Sequence, residues 1–380
     1  MTVTAHTLQA RFPLVARPRP ACMPLTQRAS NIHYMAKTVA QTGSPAQATA
    51  VFNLAALIAS DCGLPDLARH WAHRLAHTAL RQSPTQGADA TAALEPIINL
   101  ARLHIRAGDG LAAWNLLEYL YRSVIERSDA TIDGIDIPIQ RLTHQPDTHH
   151  QVRTWLWANL LSTGARALVS IGRWEEARRR VAQHNGIGKR MLDGRQIAVI
   201  AHHLGEQPQH AQVLVRNTQD GEPWEKSVSD CLHIICTHGK QTAAADGTRW
   251  QQTYPPDSGL AVFHTRLNLT VIDALEGHDE PAAERITASI LQSAPEDGYV
   301  VRDLLNHPRS RSTATASQTR SLTDVMEACG IDRGHIPTQV QDLLNGALNT
   351  AEQALTSRRP VAPIFGQRPQ PDASTTPPTR

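Results

Sequence analysis

A spacing of small residues that recurs along this chain constrains its fold more than any other feature. In the clearest unit, Ala165 is followed by Gly172 and then by Ala177, seven and twelve residues later. Small residues at the first and last of these positions let two helices pack closely, and glycine readily takes the turn conformation that other residues resist. The spacing therefore predicts two helices joined by a tight turn, with Ala165 and Ala177 where they meet.

The same spacing recurs in other parts of the chain. Two further units have an asparagine, a glycine nine residues later and an alanine fourteen residues later: Asn99, Gly108 and Ala113, then Asn268, Gly277 and Ala282. A fourth unit begins at Asn53 and is one residue longer. A weaker unit places Ile197 34 residues after Thr163, with Ala211 fourteen residues beyond Ile197. Recurrence at such offsets indicates a repeat array.

These units resemble the tetratricopeptide motif, in which small residues and a turn glycine recur at these offsets in units of about 34 residues. The resemblance covers roughly residues 45–294 and implies an all-α fold, an α-solenoid of tetratricopeptide-like helix hairpins. The leucine-rich spacing of residues 343–355 suits a C-terminal capping helix that shields the apolar face of the last repeat. The predicted helix pairs cover residues 45–81, 91–127, 150–184, 191–217, 223–253 and 259–294.

The predicted domain boundaries follow from this array and from the composition of its flanks. Residues 1–44 carry several prolines and no acidic residue, and we expect a mostly flexible segment there. The helical-repeat domain spans residues 45–294, a C-terminal helical cap spans 295–357, and the proline-rich residues 358–380 form a disordered tail. Residues 131–138 alternate apolar with polar side chains and are the single strand-like stretch of the sequence.

The balance of charges excludes a protein that attracts nucleic acid or an anionic membrane through a strong overall field. The chain has 37 basic and 35 acidic residues, a formal net charge of +2. Its five scattered cysteines form no CxxC pair, which argues against a disulfide framework and fits a reducing compartment. No stretch approaches the ~18 apolar residues of a membrane span. We expect a cytoplasmic protein that contacts no membrane and does not bind nucleic acid directly.

Three groups of residues invite a chemical interpretation, and a structural interpretation is the stronger prediction for each. The histidines His70, His73 and His77 share one helical face, but a metal site needs a third ligand and supporting contacts. A second group points to different sides of a helix: Cys231, His233, Cys236 and His238. Residues 186–189 lack the glycine spacing and the hydroxyl residue of a phosphate-binding loop. We predict no metal site, no cofactor and no catalytic residue.

A recurring asparagine is the sharpest functional signal in the sequence. Asn53, Asn99 and Asn268 each stand two residues before the small residue of a unit's first helix, and Thr163 holds that place in its own unit. In tetratricopeptide proteins this place lines the concave groove, where an asparagine amide commonly hydrogen-bonds an extended peptide. The resemblance implies that the groove also holds arginines suited to carboxylates: Arg102, Arg106 and Arg166. The alternatives are locally packed asparagines and arginines solvated on helix faces.

The resemblance implies an interaction scaffold rather than a particular reaction. We expect a non-enzymatic binding or regulatory protein that holds a peptide or protein partner, acidic in character, in a concave helical groove. A homo-oligomer is compatible with this fold. The chain is similar to the sensor half of peptide-responsive bacterial regulators, but its proline-interrupted first forty residues leave no room for a DNA-binding helix-turn-helix. The open alternative is an enzyme or enzyme-accessory subunit of specialised metabolism, with loops 128–150 and 184–195 around a small-molecule pocket.

Overall fold

The computed structural model of the chain describes residues 4–81, 87–237, 258–294 and 296–356, and this part is almost entirely helical. The helices of the first half are α1 (Ala5–Arg11), α2 (Leu25–Thr42), α3 (Pro45–Asp61), α4 (Pro65–Leu80), α5 (Gly87–Arg106), α6 (Gly110–Glu126), α7 (Ile139–Leu142), α8 (Pro146–Asn159), α9 (Ala165–Ser170) and α10 (Trp174–Gln183). Those of the second half are α11 (Asp193–Leu204), α12 (Pro208–Arg216), α13 (Pro223–Thr237), α14 (Ala261–Leu275), α15 (Glu280–Gln292), α16 (Gly298–Asn306), α17 (Pro308–Thr313), α18 (Ala316–Cys329) and α19 (Thr338–Thr356). The predicted all-α class is confirmed.

The turn glycines predicted from the repeat spacing lie in the left-handed region of backbone conformation. Their φ angles lie between 76° and 81°: Gly63, Gly108, Gly172 and Gly277. The alanine that follows each of these turns is fully buried: Ala68, Ala113, Ala177 and Ala282. Glycine provides the turn conformation and alanine permits close packing after it, so these predicted turns are confirmed.

Consecutive helices on the two sides of these turns pack against each other. Helix α3 packs on α4, α5 on α6, α9 on α10 and α14 on α15, and α11 packs on α12 in the weaker unit. Helix α8 continues into α9 through a turn of π-helix, Leu160–Gly164. Helix α13 corresponds to the first half of the predicted pair 223–253, whose second half lies outside the described residues.

A two-stranded antiparallel hairpin follows α6, at the strand-like stretch of the sequence. Its strands are β1 (Ala130–Ile132) and β2 (Ile135–Ile137). The register pairs Ala130 with Ile137 and Ile132 with Ile135, and all four side chains are buried. Alternation of apolar and polar residues puts every second side chain on one face of a strand. The hairpin therefore turns one apolar face toward α4 and α6, which it contacts.

The N-terminal residues differ from the expectation of a mostly flexible segment. Helix α1 packs against α9 and α14, and both Leu8 and Phe12 are fully buried. After α1, an extended stretch that we call the N-terminal strap (residues 12–24) lies on the helices. Leu14 exchanges two backbone hydrogen bonds of 2.7 Å with the side chain of Gln196. The prolines prevent a helix in the strap, but its apolar side chains still anchor it, so composition alone misjudged its burial.

The last helix, α19, lies elsewhere than the predicted cap. It packs chiefly against α2 and α3, at the beginning of the chain, and Leu344 shares a core with Ile58 and Trp71. The loop before α19 also reaches α3, because the backbone amide of Asp332 donates a 2.7 Å hydrogen bond to the carbonyl of Asp61. The leucine spacing predicts an apolar face but cannot identify the surface that covers it. Helices from the beginning and the end of the described residues therefore meet, and the predicted tail of residues 358–380 lies outside these residues.

Candidate functional site

A cavity of about 850 Å³ lies where the N-terminal strap crosses the helices, and arginine dominates its lining. Eight of its 21 lining residues are arginines and three are aspartates. The arginines come from α1, the strap, α5, α9, α14 and α16: Arg11, Arg17, Arg19, Arg102, Arg106, Arg166, Arg266 and Arg302. The lining is therefore rich in basic side chains, although the chain as a whole is nearly neutral.

Five of these arginines have a carboxylate partner. The ion pairs are Arg11 with Asp273 (2.5 Å), Arg17 with Asp193 (3.0 Å), Arg102 with Glu95 (3.0 Å), Arg106 with Asp61 (2.8 Å) and Arg266 with Asp303 (2.6 Å). Each pair restrains its arginine side chain and offsets its charge. These five arginines therefore determine the shape of the cavity but add little net positive charge to it.

Arg166 has neither a hydrogen bond nor an ion pair among the residues that the structure describes. It projects from α9 one helical turn after Thr163, and both residues line the cavity. Burial lowers the pKa of Arg166 to about 10, and the positive charges of Arg266 and Arg19 act in the same direction. The guanidinium is still protonated at neutral pH, so an incompletely compensated positive charge lies in the cavity wall.

Two other arginines of the cavity lie over an aromatic ring. The guanidinium carbon of Arg19 is 4.1 Å from the centroid of the Tyr299 ring, and that of Arg302 is 5.6 Å from it. Cation–π contacts of this kind position a guanidinium without neutralising it. Arg302 approaches Asp303 only to 3.9 Å, and Arg19 forms no ion pair within the described ranges. Both arginines therefore retain charge for a ligand.

Asp61 connects the elements that form one wall of the cavity. Its fully buried carboxylate accepts hydrogen bonds from Arg28 (2.5 Å), Arg106 (2.8 Å) and the Tyr299 hydroxyl (2.6 Å). Burial acts to raise the pKa of Asp61, but the two arginines and the hydroxyl outweigh it and hold this pKa below its usual value. The contacts link α2, α3, α5 and α16, so residues from both halves of the chain form this wall.

A local irregularity shapes the wall next to Arg166. The π-helical turn between α8 and α9 contains the cavity residues Ser162 and Thr163. Such a turn rotates the side chains that follow it relative to a continuous α-helix, and π-turns occur frequently at functional sites. Gly164 closes the turn against Trp114, since a Cβ atom on this glycine would lie 3.1 Å from the indole ring. The tight packing of Gly164 against Trp114 therefore fixes the position of Ser162 and Thr163, which line the cavity.

The cavity contains four of the seven predicted ligand-binding residues: Arg102, Arg106, Thr163 and Arg166. Asn53, Asn99 and Asn268 are not among the described residues that line it. Instead, the Asn99 amide donates a 2.6 Å hydrogen bond to Asn53, and Arg102 donates one of 2.6 Å to Asn99. The asparagines of α3 and α5 are thus hydrogen-bonded to each other, and Asn99 helps to orient Arg102.

Sequence reasoning missed the arginines that the N-terminal residues supply to the cavity. Arg11, Arg17 and Arg19 lie among prolines, and this composition predicts a loose tail. A signal was present, because no acidic residue precedes Asp61 and these charges therefore need distant carboxylates or a ligand. The other arginines missed are those of α14 and α16, which stand at ordinary helical positions without such a signal.

The structure also places several of the other chemical candidates from the sequence. His73 lies 2.9 Å from Asp133, Cys231 and Cys236 are buried free thiols, and residues 186–189 connect α10 to α11. His238 lies outside the described residues. Within the ranges that the structure describes, no cluster of three or more histidine, cysteine, aspartate or glutamate side chains is placed to hold a metal ion. No helix in those ranges has the length and apolar character needed to cross a bilayer.

The chain was also compared with known proteins. Comparisons with protein-family models, with curated proteins and with solved structures each found no match. The geometry of the arginine-lined cavity is therefore the basis on which a function can be proposed.

Proposed function

We propose that this chain is a non-enzymatic binding protein that holds an acidic group of a peptide or protein partner in the arginine-lined cavity. The observation that carries the proposal is Arg166, a charged side chain without an ion-pair partner among the described residues. Arg166 is partly removed from water, and the charges of Asp193 and Asp303 compensate it only in part, which costs free energy. An anionic ligand that pairs with Arg166 would recover this cost, which favours an anion over a neutral ligand at this place.

The geometry of arginine supports a carboxylate or a similar planar or tetrahedral anion as the bound group. The guanidinium donates two parallel hydrogen bonds to such an anion. Each hydrogen bond to a charged group contributes roughly 1.5–3 kcal/mol, about twice the contribution of a neutral one. Among the described residues that line the cavity, none is histidine, cysteine or glutamate. This lining supports binding, and regulation through binding, over catalysis.

The helix pairs support a tetratricopeptide-like array as the scaffold of this site. In this proposal the units are α3 with α4, α5 with α6, α8 and α9 with α10, α11 with α12, and α14 with α15. Their left-handed turn glycines and buried alanines recur at the offsets that the motif requires. Helix α19 would then cap the first unit of the array rather than the last, since it packs on α2 and α3.

A compact small molecule is the second candidate ligand, and the position of the N-terminal strap favours it. The strap lies on the helices with its own backbone hydrogen bonds: the Arg19 amide donates to Gly259 at 3.0 Å, and the Cys22 carbonyl accepts from Gly298 at 2.9 Å. These contacts occupy space that a long extended peptide would need. The remaining volume of about 850 Å³ suits a short segment or a small molecule.

Isothermal titration calorimetry tests the proposal with two synthetic hexapeptides, one of alternating glutamate and alanine and one of alternating glutamine and alanine. We expect the wild-type protein to bind the acidic probe and not the neutral one. Arg166→Gln should weaken binding of the acidic probe about tenfold or more, because it removes a charged hydrogen bond of roughly 1.5–3 kcal/mol. Arg153→Gln is the matched control, since Arg153 is exposed on α8, the helix that continues into α9.

Two further variants separate the roles of the groove residues predicted from the sequence. Arg102→Ala should weaken binding of the acidic probe more than Asn99→Ala, because Arg102 lines the cavity, whereas Asn99 is not among the described residues that line it. Binding should also weaken as salt concentration rises, since ions screen partly exposed charges. Equal affinity for the acidic and neutral probes, or an unchanged affinity in Arg166→Gln, would contradict the proposal.

A further inference from the structure

The positive charge that remains in the cavity exceeds what one carboxylate can neutralise. Arg166 and Arg19 form no ion pair with any described residue, and Arg302 has only a distant carboxylate, that of Asp303 at 3.9 Å. Asp303 is itself paired with Arg266 at 2.6 Å, so its single charge cannot offset both arginines. Asp332 is the lining carboxylate left to offset Arg19, Arg166 and Arg302, so a net charge of about two (three positive, one negative) remains for a ligand.

The arginines that carry this charge come from separate elements and border one space. Arg19 belongs to the N-terminal strap, Arg166 to α9 and Arg302 to α16, and all three line the same cavity. The pKa of Arg166 is lowered first by burial and then by other positive charges, including that of Arg19. Asp193 and Asp303 act in the opposite direction but compensate these positive charges only in part, since the pKa of Arg166 stays below its usual value. A small anion with more than one negative charge would compensate the remaining positive charge from a single position.

A phosphate monoester has the charge and the acceptor atoms that these residues require. It carries a charge of about −1.5 to −2 at neutral pH and three strongly accepting oxygens. Thr163 adds a donor, since its hydroxyl makes no hydrogen bond with a described residue and lies one helical turn before Arg166. A carboxylate has one charge and two oxygens, and it would leave at least one guanidinium without a counter-charge.

We propose that the cavity binds a phosphate monoester, with Arg166 and Arg19 paired to its oxygens and Thr163 donating a hydrogen bond to it. This inference rests on the proposed function, because it names the acidic group that the same site takes. The phosphate comes either from a phosphorylated side chain of a peptide or from a small phosphorylated molecule. Since Arg19 lies on the strap and Arg166 on α9, the bound phosphate holds the strap against the helices.

Calorimetric titration of the full chain tests the inference with four probes. These are a hexapeptide with phosphoserine at its third position, the same peptide with glutamate there, the same peptide with serine there, and free O-phospho-L-serine. We expect the phosphoserine peptide to bind at least about tenfold more tightly than the glutamate peptide. Arg166→Gln and Arg19→Gln should each weaken this binding about tenfold or more, whereas Arg153→Gln should leave it unchanged.

Hydrogen exchange supplies a second measurement that does not depend on affinity. Addition of the phosphoserine peptide should slow amide exchange in residues 12–24 of the wild-type protein, because the phosphate joins the strap to α9. The same addition should have no such effect in Arg19→Gln. Circular dichroism melting shows whether each variant is folded. If Arg166→Gln does not fold, Arg19→Gln decides, since Arg19 lies half-buried on the strap and, among the described residues, its charged group contacts the Tyr299 ring without an ion pair.

Each outcome of the titration distinguishes the two proposals. Free O-phospho-L-serine that binds as tightly as the phosphoserine peptide supports a phosphate site for a small molecule and overturns the peptide part of the proposed function. Equal affinity for the glutamate and phosphoserine peptides overturns the phosphate inference and leaves the proposed function standing. No binding by any of the four probes overturns both. Tight binding of the phosphoserine peptide alone supports both and assigns the phosphate to a peptide.

Discussion

At the scale of single residues, left-handed backbone conformations mark the turns between paired helices. Glycine occupies four of these turns, but in the weaker unit the equivalent residue is Glu206, nine residues after Ile197, with a φ of 58°. Such a conformation strains an L-residue because its Cβ atom approaches the following carbonyl oxygen. The unit keeps its turn because α11 and α12 still pack together around the fully buried Ala211.

The strain at Glu206 yields a prediction about stability. Glu206→Gly should raise the free energy of unfolding by about 1 kcal/mol, because glycine takes the left-handed conformation without the Cβ conflict. The Glu206 side chain is exposed, so its removal sacrifices little packing. Urea unfolding of the wild type and the variant measures the difference.

The reverse substitution provides the companion prediction. Gly108→Ala should lower the free energy of unfolding by about 1 kcal/mol, since Gly108 has a φ of 81° and a Cβ atom there would meet nothing within 4 Å. The change in the free energy of unfolding therefore reports the cost of the left-handed backbone conformation, without a contribution from steric contact. A stability equal to that of the wild type, measured under the same urea conditions, would show that these turns relax without cost.

At the scale of the helix pair, small side chains permit the close packing of α9 on α10. Ala165 and Ala177 are both fully buried in this unit, and no room exists for additional atoms in a packed interior. Ala177→Leu should therefore overpack the pair and lower the free energy of unfolding by about 1–3 kcal/mol. Thermal melting with Ala158→Leu as control checks this, because Ala158 is exposed on α8. Equal melting temperatures for both variants would contradict the repeat register.

At the scale of the whole molecule, the N-terminal residues belong to the common core. Phe12 is fully buried in the same cluster as residues of α5, α9 and α14. Phe12→Ala should lower the free energy of unfolding by about 3–5 kcal/mol, because it leaves a cavity in this core. His6→Ala is the control, since His6 is exposed on α1. If Phe12→Ala were as stable as this control, the N-terminal segment would be flexible, as its composition predicts, and would not be part of the core.

Asp61 tests how elements from the two halves of the chain are held together. Asp61→Asn should lower the free energy of unfolding by about 3–5 kcal/mol, because Arg28 and Arg106 lose their buried counter-charge. Asp342→Asn is the control, since Asp342 is exposed on α19. Urea unfolding at neutral pH measures both effects.

The pH dependence of the same variant follows from the direction of the pKa shift. The pKa of Asp61 is lower in the folded protein than its usual value. Its contribution is therefore complete above the unfolded pKa of about 4 and is lost as pH falls through the lower folded value. The stability difference between the wild type and Asp61→Asn should accordingly narrow on acidification below about pH 4. A constant difference across this range would show that the Asp61 charge does not stabilise the fold.

The sequence by itself determined the local structure of this protein. Gly172 and Ala177 predict a turn and a close helix contact because both properties depend on residues near one another in the chain. The alternation in residues 131–138 predicts the hairpin for the same reason. The resemblance to the tetratricopeptide motif also predicted that Arg102, Arg106 and Arg166 share one surface, and all three line the same cavity.

Only the tertiary structure decided which surfaces meet and which charges share the cavity. Arg19 lies over Tyr299, Leu14 bonds Gln196, and α19 packs on α2 and α3. Each of these contacts joins residues far apart in the sequence, and no local period encodes its partner. The same limit applies to charge, because folding decides which carboxylates come near an arginine. Arg106 is paired with Asp61, whereas Arg166 has no ion-pair partner among the residues that the structure describes.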